Sequence, residues 1–282
     1  MPNQGTIGKE VHFAGRALQT GHQVKAVCKP AEPETGIVFS RTDLPDEPVL
    51  RLSDAIFSDT HKRRSTIGAG SQAVQTVEHF LAALWGLSID NMILEIDGPE
   101  LPALDGSALE YFKSLKGAGR TEQGPPRRCV KVLEEEKVEE SGRSLTIKPA
   151  DAFSVSYLIE YGVSSIGREV FDIELDRDSF EKEIAPARTF CLKDEAEALL
   201  RAGLGEGATL KNTLVLDDNG PIGTEFRFPN EPVRHKILDL VGDFYMLGRP
   251  VVGRVVAERS GHGLNARMVR LLYEKYIKKE QG

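Results

Sequence analysis

The sequence predicts an α+β fold assembled from two related halves, and two observations carry that reading. Strand-like alternation and helix-like spacing occur in both halves, with runs of strands leading into the main helix of each. The segments VEHFLAALWG and VRHKILDLVG, starting at Val77 and Val233, both read Val-x-His with a glycine seven residues after the histidine. A strand, a glycine-containing turn and a helix follow in each case, and Asp105-Gly106-Ser107 sits about as far beyond His79 as Gly261-His262-Gly263 does beyond His235. An internal duplication accounts for this economically. If a pseudo-two-fold relates the halves, their matching helices face one another across a cleft and bring His79 and His235 together, and sites commonly form at such interfaces.

The elements follow in order. Val24, Ala26 and Cys28 alternate with Lys25, Val27 and Lys29, and Ile37-Val38-Phe39 follows a proline-rich turn, so the first fifty residues read as strands. Val74, Val77, Leu81 and Leu84 recur at three- and four-residue steps, which predicts a helix over 71–85 stopped by Gly86. NMILEIDG reads as a strand, and Asp105-Gly106-Ser107 opens a helix through Leu109, Phe112 and Leu115. Residues 116–128, rich in glycine and proline, read as a linker, which divides the chain into 1–124 and 125–282. VKVLEEEKVEE, RSLTIKPA, FSVSYLIEY and REVFDIEL then read as four strands, with Glu134-Glu135-Glu136 as a solvated edge. A short amphipathic helix over 193–202, the strand TLVLDDNG, a strong helix over 231–247 with Pro232 in its first turn, the strand PVVGRVVAE and a helix from Leu264 to Ile277 complete the second half.

The 282 residues carry 36 Lys and Arg against 43 Asp and Glu, a net charge of −7, which disfavours a nucleic-acid backbone as partner. Three cysteines without a CxxC pair support neither a disulfide framework nor a thiolate zinc site and fit a reducing compartment. No stretch approaches the roughly 20 apolar residues of a spanning helix, and the amino terminus lacks the apolar core of a signal peptide, so a cytoplasmic protein is expected. Gly203, Gly205 and Gly207 are not followed by the Lys-Ser/Thr of a phosphate loop, and no GxGxxG opens a helix after a strand, so nucleotide hydrolysis and dinucleotide binding are disfavoured.

His235, Asp239 and Asp243 stand one helical turn apart and project from one face. An isolated His-x-x-x-Asp is more often a helix-surface pair than a metal site. Adding His79 from the matching place in the other half makes two histidines and a carboxylate, a common composition for catalytic zinc. Glu78 precedes His79, where a carboxylate within reach of an activated water would serve as general base; otherwise it is a helix-surface glutamate. Lys236 would steady a developing oxyanion or a substrate phosphate, its alternative being a solvated lysine. His262, between two glycines, would protonate a leaving amine, with Asp243 orienting its imidazole and raising its pKa. His12, His22 and His61 lack carboxylate partners at ligand spacing and read as structural.

TVEHFLAAL, LPALDGSA, APARTF, VRHKILDLVGD and SGHGLN, in this order over nearly the whole chain, resemble the UDP-3-O-acyl-N-acetylglucosamine deacetylase family of lipid A biosynthesis. The resemblance implies two α+β domains, each layering a sheet on helices, with the site between them. It implies a zinc amidase that removes the acetyl group from a UDP-glucosamine bearing a 3-O-hydroxyacyl chain, leaving acetate and a free amine. Carried over by motif, His79, His235 and Asp239 would hold Zn²⁺, or iron(II), which the same ligand set suits. Glu78 would be the base, His262 the general acid or an electrostatic stabiliser oriented by Asp243, Thr189 an oxyanion partner, Phe190 a wall of the sugar site, and Lys236 a substrate contact. Insertions are implied at about 54–72 and 191–213, the second lining an acyl passage with Ala198, Leu199, Leu200 and Leu210.

Where the family usually reads Gly-Leu-His-Ser-Gly near the amino terminus, this chain has Ala17-Leu18-Gln19-Thr20-Gly21, so a contact needing a titratable histidine there is lost. A monomer making at most brief membrane-surface contact is expected. A non-catalytic binder of acylated sugar nucleotides and a deacetylase of another N-acyl sugar are the rival readings.

Overall fold

The computed structural model describes residues 2–52 and 64–278. The expected first insertion, about 54–72, therefore lies outside the described residues over 54–63. Five strands of the first half form one sheet: β2 (Val11–Arg16), β3 (Gln23–Pro30), β8 (Met92–Ile96), β4 (Ile37–Arg41) and β5 (Val49–Arg51), side by side in that order. Six of the second half form another, five of them side by side in the order β11 (Glu136–Glu140), β12 (Arg143–Lys148), β18 (Val251–Glu258), β13 (Phe153–Glu160) and β14 (Arg168–Glu174). In both, the central strand, β8 or β18, is antiparallel to one neighbour and parallel to the other, and both outer pairs are antiparallel. The repeat seen in the sequence is thus a repeat of topology. Helix α1 (Glu78–Leu87) precedes β8 and α2 (Leu109–Ala118) follows it, as α5 (Glu231–Tyr245) and α6 (His262–Leu272) flank β18. This is a two-domain α+β fold.

Alternation along β3 buries Val24, Ala26 and Cys28 and turns Lys25 outward. The apolar faces of the sheets meet the helices: Phe80 of α1 packs edge-on against Phe39 of β4, and Tyr111 of α2 against Phe13 of β2. Helices α1 and α5 then pack across one another where the two halves meet. Gly242 makes the crossing close, because a Cβ there would lie 2.0 Å from the Glu78 carbonyl oxygen.

Four expectations change. The helix foreseen over 71–85 begins only at Glu78. A 3₁₀ turn at Gly70–Gln72 and the strand β7 (Val74–Gln75), paired with β6 (Thr66–Ile67), precede it, and Thr76, at φ +55°, breaks the run. Val74 and Val77 are buried as their spacing required, but Val74 lies in a strand and Val77 is the residue just before the helix. Gly86 does not stop the helix: it lies within it, where the Phe180 ring occupies the space of a Cβ, and the chain leaves at Ser88 in the left-handed conformation. The linker 116–128 is mostly strand β9 (Arg120–Pro126), antiparallel to β1 (Asn3–Ile7) in a two-stranded ribbon where prolines forfeit little. The acidic edge is partly buried: Glu136 is enclosed against Lys275 and Tyr276, and Lys275 also reaches Glu134 at 2.6 Å.

Smaller elements complete the chain. The short strand β10 (Val130–Lys131) runs parallel to the start of β18, and α6 starts two residues before Leu264 and continues as a π-helical turn to Ile277. Between β14 and α5 the second half carries α3 (Arg177–Ser179), capped by Asp176 and leading into a π turn over Phe180–Ile184, an element without a sequence forecast. After it come β15 (Phe190–Leu192), α4 (Lys193–Arg201), β16 (Leu214–Asp217) and β17 (Gly220–Pro221), a three-stranded sheet beside the short helix.

Candidate metal centre and its cavities

The close α1–α5 crossing juxtaposes His79, at the start of one helix, with His235 and Asp239 on the other. Their rings lie 5.0 Å apart between centroids, at 83°. Asp239 Oδ1 is 3.3 Å from His235 Nε2 and 3.7 Å from His79 Nε2. The three side chains are buried, and their ligand atoms lie within 4.8 Å of one another.

His235 Nδ1 stands 3.0 Å from the Ala187 carbonyl oxygen. A carbonyl only accepts, so Nδ1 carries the proton and Nε2 presents a lone pair to the Asp239 carboxylate. Burial pushes the His235 pKa down to about 3, with Asp239 opposing, so the imidazole is neutral at pH 7. A lone pair facing a carboxylate oxygen at 3.3 Å is an arrangement a cation satisfies, and the donor set fits a divalent metal. Burial opposes ionisation of Asp239, yet the cationic neighbours, among them the Lys236 ammonium and His262, hold its carboxyl well below the usual range.

Glu78 and His262 flank the same point, with His262 Nε2 3.9 Å from Glu78 Oε1 and 3.7 Å from Asp239 Oδ2. Burial raises the Glu78 pKa, against the pull of His262 and His79, which makes the carboxylate a stronger base than an exposed one. His262 Nδ1 is 2.8 Å from Asp243 Oδ2. Burial pulls the His262 pKa down, but the carboxylates of Asp243, Asp239 and Glu78 outweigh it and bring it up to about 9, so the ring is protonated at neutral pH. One carboxylic group primed to accept and one imidazolium primed to donate thus face a single buried point.

Lys236 is turned inward: its ammonium lies 2.8 Å from Asp239 Oδ2 and 5.7 Å from the centre of the Phe190 ring. Burial lowers its pKa, but Asp239 more than compensates and the lysine stays charged. Glu78, His79, His235, Lys236, Asp239 and His262 line a cavity of about 420 Å³ with Arg143 and Arg259. A second cavity of about 250 Å³, lined by Ala196, Leu199, Leu200, Leu204, Leu210 and Val215 among others, shares Leu18, Gln19, Thr189 and Phe190 with the first. Of the passage residues expected from the sequence, Leu199, Leu200 and Leu210 line it, whereas Ala198 faces solvent on the other side of α4 and Ala196 takes its place. Helix α4 turns 100° per residue, so two positions separate its inner and outer faces.

Besides Arg143 and Arg259, sequence reasoning missed two polar neighbours of the carboxylates. Asn265 donates to Asp243 Oδ2 at 2.8 Å, and Ser65 donates through Oγ to Asp243 Oδ1 and through its amide to Glu78 Oε2 at 3.1 Å. Asn265 stands three residues after His262 and shares its helix face, a usable signal. Ser65 meets Asp243 across 178 residues, and no local pattern announces that.

The profile of the family described as UDP-3-O-acyl N-acetylglycosamine deacetylase matches residues 4–274. Proteins named UDP-3-O-acyl-N-acetylglucosamine deacetylase are similar throughout. That of Phenylobacterium zucineum is 39% identical over 95% of this chain and 92% of its own length. That of Chromobacterium violaceum is 36% identical over 96% and 90%, and that of Acidithiobacillus ferrooxidans 38% over 96% and 90%. A match of this extent, on a chain whose paired histidines, aspartate and neighbouring glutamate converge as described, places the protein in the UDP-3-O-acyl-N-acetylglucosamine deacetylase family.

Proposed function

We propose that this chain is a metal-dependent amidohydrolase that removes the acetyl group from UDP-3-O-(3-hydroxyacyl)-N-acetylglucosamine, giving acetate and the free amine in lipid A biosynthesis. The observation that carries the reading is the union of two cavities: one holding the His79, His235 and Asp239 cluster with Glu78 and His262, the other apolar and opening from it past Gln19 and Phe190. A polar reacting head joined to a long apolar chain fits that pair.

Zinc is the ion this reading assigns to His79, His235 and Asp239, with iron(II) the other that the ligand set suits. Such an ion would supply Lewis acidity toward the acetamide carbonyl and ease deprotonation of water. Glu78 Oε1 takes the proton as the water oxygen bonds to the carbonyl carbon. His262 Nε2 then gives its proton to the amide nitrogen as the C–N bond breaks, and Asp243 keeps the ring oriented through Nδ1. Thr189 and Lys236 stabilise the charge on the former carbonyl oxygen, Phe190 walls the sugar, and Arg143 and Arg259 face the diphosphate. Leu199, Leu200 and Leu210 receive the chain.

One chain supplies every residue named, so the reading calls for a monomer. It divides the chain at 124/125, within β9, and sets the enzyme in the cytoplasm, in keeping with three cysteines that form no disulfide. The test is acetate release from the UDP-sugar with and without its acyl chain. Product formation that depends on the chain supports the proposal. Binding without product would leave a mere binder, and equal rates on both sugars would reassign the substrate.

A further inference from the structure

Ser65 is 2% exposed and ends the segment that leads into strand β6. Its backbone is fixed by its carbonyl, which accepts from the Thr76 amide at 2.9 Å. From that anchored position the residue reaches two carboxylates of different halves: its amide donates to Glu78 Oε2 at 3.1 Å, and its hydroxyl donates to Asp243 Oδ1. The first bond ties down one oxygen of Glu78 and leaves Oε1 facing His262 Nε2. The second complements the opposite side of Asp243, whose Oδ2 already takes His262 Nδ1 and Asn265 Nδ2, each at 2.8 Å. Asn265 is held in turn by Ser260, whose hydroxyl meets its Oδ1 at 3.0 Å.

A carboxylate gripped on both oxygens cannot rotate about its Cβ–Cγ bond without breaking buried hydrogen bonds. We propose that Ser65 is a positioning residue that sets Glu78 and the Asp243–His262 pair at a fixed mutual distance, so that proton acceptor and proton donor address the same substrate atoms. The proposal rests on the deacetylase reading for its kinetic consequence and on the hydrogen bonds alone for its geometry. Partners of this kind, one step removed from the reacting groups, are typically worth 10- to 100-fold.

The test is Ser65→Ala in the zinc-loaded enzyme. A kcat lowered about 10- to 100-fold, with KM and bound zinc unchanged, supports the proposal. In an Asp243→Asn background the same substitution removes less than a further twofold if Ser65 acts through Asp243. A second readout needs no metal or substrate: in metal-free protein labelled with ¹⁵N, the His262 Nδ1 proton resonance shifts or broadens in Ser65→Ala, and the Ser65 amide proton moves upfield in Glu78→Ala. A kcat within twofold of wild type, a loss carried in KM, full additivity with Asp243→Asn, or unmoved resonances would each overturn it. A wild-type enzyme that releases no acetate would instead sink the functional reading, while the resonances still decide the geometry.

Discussion

Gly242→Ala probes the feature on which the centre depends, the close approach of α1 to α5. A methyl group built there meets the Glu78 carbonyl oxygen at 2.0 Å, its carbonyl carbon at 2.7 Å and its Cα at 2.9 Å, all backbone atoms that no rotamer change can move. Restoring ordinary contact, from 3.4 Å, requires the helices to part by more than about 1 Å. Alanine gains about 1 kcal/mol over glycine in a helix interior, whereas overpacking a dense core costs about 1–3 kcal/mol, so the net loss of stability is modest. The site fares worse, because Glu78 and His79 move with α1 while His235 and Asp239 stay with α5, and a misplacement near 1 Å costs about 100-fold. Thermal unfolding, zinc titration and acetate release are measured on one preparation. The expected result is a melting temperature lowered by a few degrees, weakened zinc binding and a rate reduced about 100-fold. Gly86→Ala is the control: its methyl meets the Phe180 ring, a side chain and not the backbone of α5, seven residues along α1 from His79, and is expected to affect stability more than zinc affinity. A Gly242→Ala protein with wild-type zinc affinity and rate would refute the claim that this contact sets the geometry.

Glu78→Gln is expected to fold and bind zinc normally while losing about 10²- to 10⁴-fold in kcat, read by acetate release and metal analysis; near-normal turnover removes Glu78 as base. His262, with a pKa raised to about 9, stays protonated until the pH passes that value, so the alkaline limb of kcat/KM should lie near it and vanish in His262→Gln. By linkage, the stability His262 lends is complete below its ordinary 6.5 and is lost as pH rises through about 9, so the wild-type melting temperature falls across that window and Asp243→Asn flattens the fall. Glu169 is raised to about 7 by burial, against a bond from the Val233 amide, so the folded state holds its proton more tightly and stability declines between pH 4.5 and about 7. Glu169→Gln should therefore raise the melting temperature at pH 8 and leave it unchanged at pH 4; an equal gain at both would disprove the assignment. Leu199→Glu sets a charge in the apolar cavity and should reduce kcat/KM about 10- to 100-fold on long-chain substrate while sparing a short-chain analogue.

Much of this protein is written locally. The repeated Val-x-His segments announced two halves, and the halves share strand order and strand sense, because a duplicated hydrophobic pattern buries the same faces in the same layers. One face of α5 carries His235, Asp239 and Asp243 by helical periodicity alone, so their common direction followed from spacing. Other features arise from contacts between residues far apart in the chain. Whether His79 reaches His235 rests on a glycine that admits a carbonyl, and whether Glu78 and Asp243 are steadied together rests on Ser65, which no periodicity connects to either. The start of α1 depends on such contacts too, since Val74 satisfies a helical spacing but pairs with Ile67 in a strand, and a left-handed Thr76 delays the helix to Glu78. Apolar spacing records which side chains leave water. How closely two backbones approach, and which oxygen a buried hydroxyl finds, depends on packing between segments that share no local sequence relation.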